Sequence, residues 1–251
     1  MDNLQKEIKW LLEEKYHNKP DKNFKKDIKR LEKGEPLDYV IGFKEFLGCK
    51  INLSKKVLIP RPETEFWTAF AIDEIKNKKI KDTKALDIFS GSGCVGVAVL
   101  ANAENVLCDF ADKDKNAILQ IKINLKNNFI KSNRYKVISS DVLKNINKKN
   151  KYDFIFANPP YIPTTRKNKI QKSVLKYEPK LALFGGADGL FFINKFLKDA
   201  KKYLNPDGKI FMEFDYIQKN KIEKLLKKYK YKNWEFKKDQ YNKWRWVIVF
   251  L

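Results

Sequence analysis

The residues with the clearest chemical potential in this chain are Asn158-Pro159-Pro160-Tyr161, which follow the short apolar and aromatic run Tyr152–Ala157. Two consecutive prolines fix φ and remove two backbone donors, so the turn is stiff and its carbonyls are free to accept. A carboxamide stands on one side and a phenol on the other. The Asn158 side-chain oxygen and the Pro159 carbonyl can take the two N–H bonds of a planar amide or aromatic amine, while Tyr161 packs on its flat face. These groups are neutral and none is an obvious general base, so their contribution is positioning and dipole alignment. The same four residues could equally be a proline-rich loop after a strand. The rest of the chain decides, by showing whether a ligand site converges on them.

A second chemical stretch is ALDIFSGSGCVG, where Gly91 and Gly93 punctuate the passage from a strand to a helix. Glycine allows φ > 0 and close ligand approach to the backbone. Gly91, Gly93 and Gly96 satisfy the GxGxxG spacing of dinucleotide sites, with Asp112 about 20 residues on. The same turn serves other adenosine-containing ligands. Asp87 lies inside the preceding strand, placed for a cationic group; Asp112 ends the next strand, placed for ribose hydroxyls. Asp141 follows the third strand, within reach of an adenine amino group. Each acid alone reads equally as a loop residue or helix cap. Three acids at three successive strand ends fit S-adenosylmethionine, which carries no phosphate needing neutralisation.

The elements that must position these residues read as alternating strands and helices. Strands are expected at Ala85–Phe89, Asn105–Ala111, Lys136–Ser139, Tyr152–Ala157 and Lys209–Phe214, with helices at Cys94–Ala101, Asp114–Asn127, Gly189–Tyr203 and Gln218–Tyr229. Strand-like runs Asn233–Lys237 and Arg245–Phe250 close the chain. Such alternation means an α/β fold with a parallel sheet and helices on both faces, and ligands bind at the carboxyl ends of its strands. Ahead of it, residues 1–35 carry two amphipathic patterns, Leu4/Ile8/Leu11/Leu12 and Phe24/Ile28/Leu31, and form a short helical cap. Residues 36–60 form a linking β-hairpin punctuated by Gly42 and Gly48, and residues 61–251 the main domain. Pro62, Glu63 and Glu65 start a helix that runs toward Lys79; Arg61, just ahead of Glu63 and Thr64, is placed to border a cleft.

Composition narrows the class. At 251 residues the chain suits one sizeable α/β core. No apolar run approaches the ~20 residues of a membrane span, and the mixed-charge N-terminus resembles neither a signal nor a transit peptide. Cys49, Cys94 and Cys108 are scattered, without CxxC, as in a reducing cytoplasm. His17 is the single histidine, which argues against a His/Cys metal site and a His-based triad. The net charge of +22 invites a nucleic-acid reading, but only five of 53 basic residues are Arg. Lysine-rich codon bias explains the charge as well as an RNA- or ribosome-facing surface does; readout of base edges through Arg is poorly supported.

In order along the chain, EPLDYVIGFKEFLG, VLIPRPETE, ALDIFSGSGC, ADKDKNAILQIKINLKNN, NPPYIP, YEPKLALFGGADGL and EFDYIQ resemble the blocks of the peptide chain release factor N5-glutamine methyltransferases. NPPY alone is shared with adenine-N6 DNA methyltransferases and some guanine RNA methyltransferases; PRPETE and YEP…GGADGL are far more specific. The resemblance implies a seven-stranded, Rossmann-like class I methyltransferase sheet with its last strand antiparallel. It implies S-adenosylmethionine as methyl donor and S-adenosylhomocysteine as product. The acceptor would be the glutamine of the GGQ motif of class 1 release factors, methylated in the cytoplasm by a monomer. Matched position by position, Phe89, Ser90, Gly91, Ser92, Gly93 and Asp112 hold the cofactor, with Asp141 and Val142 at its adenine and Asn158 beside it. Asn158, Pro159, Pro160 and Tyr161 bind the glutamine, with Asn158, Pro159 and Tyr161 serving transfer. Phe89 stands where the family usually has glycine, so a slightly different turn with cofactor binding kept is expected. Asp215 is a smaller departure, and the N-terminal portion is shorter than the family's helical bundle, which bears on how the release factor is gripped. A ribosomal-protein glutamine or an adenine amino group is the alternative acceptor. A non-catalytic RNA- or ribosome-binding module is the reading from another class, opposed by the intact NPPY and the strand-end acids.

Overall fold

A computed structural model describes residues 3–78 and 82–251. Its first three helices, α1 (Asn3–Glu14), α2 (Phe24–Glu32) and α3 (Leu37–Ile41), close around Leu11, Tyr16, Leu31, Val40 and Ile41. Asp27 ties this small core together by accepting from Lys15 Nζ and Tyr16 Oη, each at 2.7 Å, and from Arg30 at 2.9 Å. The region expected to be all hairpin therefore begins as a helix, and Gly42 ends that helix at φ +100°.

The hairpin itself pairs β1 (Phe43–Phe46) with β2 (Cys49–Asn52). Its two-residue turn, Leu47-Gly48, has φ of +46° and +77°, the hand that matches strand twist. Helix α4 (Pro62–Asn77) follows; the expected continuation to Lys79 lies outside the described residues. Then come β3 (Thr83–Ile88), α5 (Cys94–Asn102), β4 (Val106–Asp112), α6 (Lys115–Asn127), β5 (Tyr135–Ser139) and β6 (Tyr152–Ala157). Two short helices, α7 (Lys172–Tyr177) and α8 (Lys180–Leu183), lie where the pattern offered no element. Pieces of six and four residues are too short to display a helical period. Last are α9 (Phe191–Asp199), β7 (Leu204–Glu213), α10 (Lys219–Lys228), β8 (Asn233–Lys238) and β9 (Trp244–Phe250). Strand β7 starts earlier than expected because Asn205-Pro206-Asp207-Gly208 reads as a turn; in the structure it is an irregularity within the strand, where the pairing shifts register.

The seven-stranded sheet has the order β5-β4-β3-β6-β7-β9-β8, parallel except at β9, which is antiparallel to both neighbours. Strand alternation divides the core. Phe154, Phe156 and Phe211 face one side with Trp67, Phe110 and Trp246, while Ile155, Ala157, Ile210 and Met212 face the other with Ile193 and Phe196. Central strands buried on both faces read as near-continuous apolar runs, which is why β3 and β6 were visible in the sequence. Between β3 and β6 the strand order reverses direction, and the crevice at their carboxyl ends is the expected ligand site.

Helix α6 also anchors the hairpin. Gln120, Asn124 and Asn128 recur every fourth residue, and their side-chain oxygens accept from Lys55 N, Asn52 N and Lys50 N at 2.8, 2.8 and 3.0 Å. Three carboxamides thus satisfy N–H groups along the outer edge of β2 and in the turn that follows it. Among the described residues no helix is long and apolar enough to cross a membrane.

Candidate active site

The turn after β3 is built by backbone geometry. Phe89, Gly91 and Gly93 all adopt positive φ, at +59°, +55° and +78°. The expectation that Phe89 ends the strand is corrected: β3 stops at Ile88, because a left-handed residue cannot continue a ladder. Asp112 fixes the turn from the neighbouring strand, accepting from Gly91 N and from Asp114 N at 2.8 Å each. Ser90 Oγ donates to the Asp87 carbonyl at 2.7 Å and accepts from Ala111 N at 3.1 Å. Asp87 points into the helix-covered side and accepts from Gly96 N at 3.1 Å.

The three acids differ in state. Burial pushes the Asp87 carboxyl up to about 7, offset by the Gly96 N–H and reinforced by the charge of Asp112. Burial also raises Asp112, against backbone N–H bonds from Asp114 and Gly91. Asp141 sits at the open rim and is lowered by its 2.8 Å bond from Lys195 Nζ. Asp112 and Asp141 line one cavity with Phe89, Gly91, Val142 and Asn158. Asp87 lines an adjoining one with Phe89, Ser90, Gly91, Ser92 and Asn158. Pro160 borders the first. Gly93 lines none of these cavities; it caps α5, and a Cβ there would stand 3.1 Å from Ile121.

The NPPY turn is held from farther away. Asn158 Nδ2 donates to Thr64 Oγ1 at 3.1 Å, and Thr64 Oγ1 donates to Glu213 Oε2 at 2.7 Å. Trp67 Nε1 donates to the same Oε2 at 2.8 Å, and Tyr161 Oη donates to Oε1 at 3.0 Å. Glu213 is fully buried and raised by burial, against these three hydrogen bonds and the charge of Arg245. Neither Asn158 Oδ1 nor the Pro159 carbonyl accepts a hydrogen bond among the described residues, so both acceptors expected from the sequence are free. Asn158, Pro159 and Tyr161 line a cleft of about 400 Å³, walled on one side by Arg61.

The downstream blocks wrap this turn. Gln218 Nε2 donates to the Tyr161 carbonyl at 2.9 Å, and Ile162 exchanges backbone bonds of 3.0 Å with Leu183 and Gly185. A Cβ at Gly185 would lie 2.3 Å from the Pro160 carbonyl oxygen, and one at Gly189 would lie 2.1 Å from that of Tyr161. Glu178 joins Arg61 at 2.6 Å and so bridges the PRPETE and YEP blocks. Glu213, Trp67 and Gln218 were missed as site residues. The available signal was a carboxylate inside the apolar run of β7, since a charged residue in a central strand needs partners.

Asn158 is thus a shared wall of the glycine-turn cavities and of the cleft beyond. Strand order, an acid-flanked glycine turn and a facing NPPY turn together define a class I methyltransferase. The N-terminal domain of human METTL16, solved in complex with SAH, superposes with a TM-score of 0.57 at 18% identity, covering 81% of this chain and 76% of that one. Residues 64–181 match the Methyltransferase small domain family. A release factor glutamine methyltransferase of Clostridium botulinum is 38% identical over 79% of this chain and 69% of its own length. One from Flavobacterium psychrophilum is 34% identical over 88% and 77%. The chain belongs to the release factor glutamine methyltransferase family.

Proposed function

We propose that the protein transfers a methyl group from S-adenosylmethionine to the side-chain amide nitrogen of the glutamine in the GGQ motif of class 1 peptide chain release factors. The observation that carries this reading is Asn158 at the junction of the two cavities, its Nδ2 committed to Thr64. The donor set fits the cofactor: Asp87 and Asp112 are buried or nearly so and form no ion pair among the described residues. Such carboxylates complement a cationic ligand without phosphate. The Phe89–Ser92 backbone and Asp112 would hold it, with Gly93 setting the turn from behind and Asp141 and Val142 beside the adenine. When bound, S-adenosylmethionine supplies an electrophilic methyl group on sulfur and leaves as S-adenosylhomocysteine.

The chain's own task is then orientation. Asn158 Oδ1 and the Pro159 carbonyl accept the two N–H bonds of the glutamine amide, and Tyr161, its hydroxyl tied to Glu213, presents its ring to the flat face. Fixed neutral acceptors of this kind act by preorganisation, since they need not reorganise as charge develops. We place the enzyme in the cytoplasm, where three free, buried cysteines would stay reduced, and take it to act as a monomer, its basic surface tolerating RNA-rich surroundings. The division at residues 35 and 60 into cap, hairpin and catalytic domain is part of the same proposal, with the cap helping to grip the release factor.

The test offers purified protein and methyl-labelled S-adenosylmethionine a release factor, its GGQ-to-GGA variant, a ribosomal protein fraction and DNA. Label is expected on the release factor only. Label on DNA, or equal label on the GGA variant, overturns the reading. Asn158→Ala is expected to abolish transfer while changing cofactor affinity by less than about tenfold, and near-normal turnover in that variant would make the turn structural.

A further inference from the structure

A carboxamide is nearly isosteric with its own flipped form, so nothing in the shape of the NPPY turn makes Asn158 present oxygen rather than nitrogen to the cleft. Presented the wrong way, its NH₂ would face the N–H bonds of an incoming amide, donor against donor. The orientation has to be imposed by a neighbour. The neighbour in reach is Thr64 Oγ1, at 3.1 Å, and a hydroxyl can either donate or accept.

What removes that freedom is Glu213. Its carboxylate lies at the end of β7, fully buried, 149 residues from Thr64 in sequence and 2.7 Å from it in space. The same oxygen receives the indole N–H of Trp67 at 2.8 Å, a group that can only donate. With the carboxylate ionised, the form that these hydrogen bonds favour, Oε2 accepts from both. The single Thr64 proton is committed to it, and Thr64 can offer Asn158 only a lone pair. The second oxygen of Glu213 takes the Tyr161 hydroxyl proton at 3.0 Å, so one buried carboxylate orders both polar ends of the turn.

We propose that Thr64 and Glu213 are positioning residues for methyl transfer: Glu213 claims the Thr64 proton, and Thr64 thereby locks the Asn158 amide with its oxygen toward the glutamine. This rests on the reading of Asn158 as the amide-binding residue and adds the device that sets its polarity. The relay runs α4, β7 and β6 in one chain of hydrogen bonds. It also gives the PRPETE block a role in the reaction beyond starting a helix.

Thr64→Val keeps the shape and removes the oxygen. Expected is a fall in kcat of about 10- to 100-fold, the size of one misoriented or unpaired buried hydrogen bond. Cofactor affinity should stay within threefold, with kcat expressed per cofactor-binding site so that misfolded material is not counted. Thr64→Ser, which keeps the hydroxyl, should recover turnover to within about threefold of the parent. If the valine crowds Glu213 and lowers the folded yield, Thr64→Ala removes the same oxygen without adding an apolar branch, and the same kcat loss is expected. Parent-like kcat in Thr64→Val or Thr64→Ala, with Asn158→Ala inactive, overturns the relay and leaves the proposed function standing. Loss of kcat in Thr64→Ser equal to that in Thr64→Val also overturns it, since bulk rather than the hydroxyl would then matter. Turnover in Asn158→Ala and Thr64→Val alike overturns the reading of the site and the relay with it.

Discussion

The two halves of the site are built by opposite means. On the cofactor side the contacts are local and mostly backbone: Asp87 meets Gly96 nine residues on, and Asp112 meets Gly91 across 21. On the acceptor side they are side-chain contacts between distant segments: Thr64 to Asn158 across 94 residues, Tyr161 to Glu213 across 52 and Thr64 to Glu213 across 149. A cofactor with its own rigid rings needs a shaped turn. A small flat amide needs acceptors aimed in fixed directions, and aim requires support from behind. The difference teaches where each half is fragile.

Glycines make the sharpest contrast. A Cβ at Gly91 would meet nothing closer than 4.0 Å, whereas one at Gly189 would lie 2.1 Å from the Tyr161 carbonyl oxygen. Both residues have positive φ, at +55° and +77°, so either alanine carries about 1–2 kcal/mol of left-handed strain. Only at Gly189 must backbone also move, and what moves is the NPPY turn. Gly189→Ala is expected to lose at least 1000-fold in turnover and about 2–4 kcal/mol in stability. Gly91→Ala should lose only the strain energy. Denaturant unfolding and turnover at saturating cofactor check both. Equal losses at the two positions would erase the distinction between the halves.

The same contrast explains what the chain disclosed as sequence. Strands β3 and β6, the glycine turn and the acids at 87, 112 and 141 were legible because apolar runs and turn residues carry local period and chemistry. NPPY was legible for the same reason. Its support was not: Thr64 read only as a polar cleft neighbour, and Glu213 as one letter of a block. Their partnership depends on β7 and α4 meeting behind β6, a matter of packing that no local pattern encodes. Phe89 and Val142 are cofactor-side residues whose backbone went unread, at φ +59° and +54°, since neither an aromatic nor a β-branched side chain gives a sign of a left-handed φ.

Protonation separates the halves by a smaller margin. Asp87 has a carboxyl raised to about 7 from 3.8 by burial. A folded-state pKa above the unfolded one means that the folded chain holds the extra proton between these values. Its contribution to stability is therefore full below about pH 4 and is lost as pH rises through about 7. Asp87→Asn keeps an acceptor for Gly96 N and removes the titration. Denaturant unfolding from pH 4 to 8 should show the parent losing stability relative to Asp87→Asn as pH rises. In the parent, binding of a cationic cofactor should tighten over the upper part of that range, because the ionised carboxylate is the form that attracts it. A parent and variant with parallel stability profiles would show that Asp87 is ionised throughout, and hence that the cofactor side is wetter than its burial implies.

Phe89→Gly should have the smallest effect on function, and it tests whether the cofactor side is governed by backbone alone. Phe89 has φ of +59°, a conformation that costs an L-residue about 1–2 kcal/mol and glycine nothing. Against this relief stand two ring contacts, with Phe192 and Phe196 at 6.1 Å each and nearly perpendicular, worth about 0.5–1.5 kcal/mol apiece. Glycine also adds about 0.5–1 kcal/mol of unfolded-state entropy. Losing the partly buried ring area adds about 1–2 kcal/mol, so the variant should be less stable than the parent by about 1–4 kcal/mol. Cofactor affinity should change by less than tenfold, because Gly91 N and Asp112 remain in place to hold the turn. A larger loss of affinity with little loss of stability would mean that the ring of Phe89, a residue that borders both cavities on that side, contacts the cofactor directly. The cofactor side would then rely on a side chain as the acceptor side does, and the division between the two halves would narrow to a difference of degree.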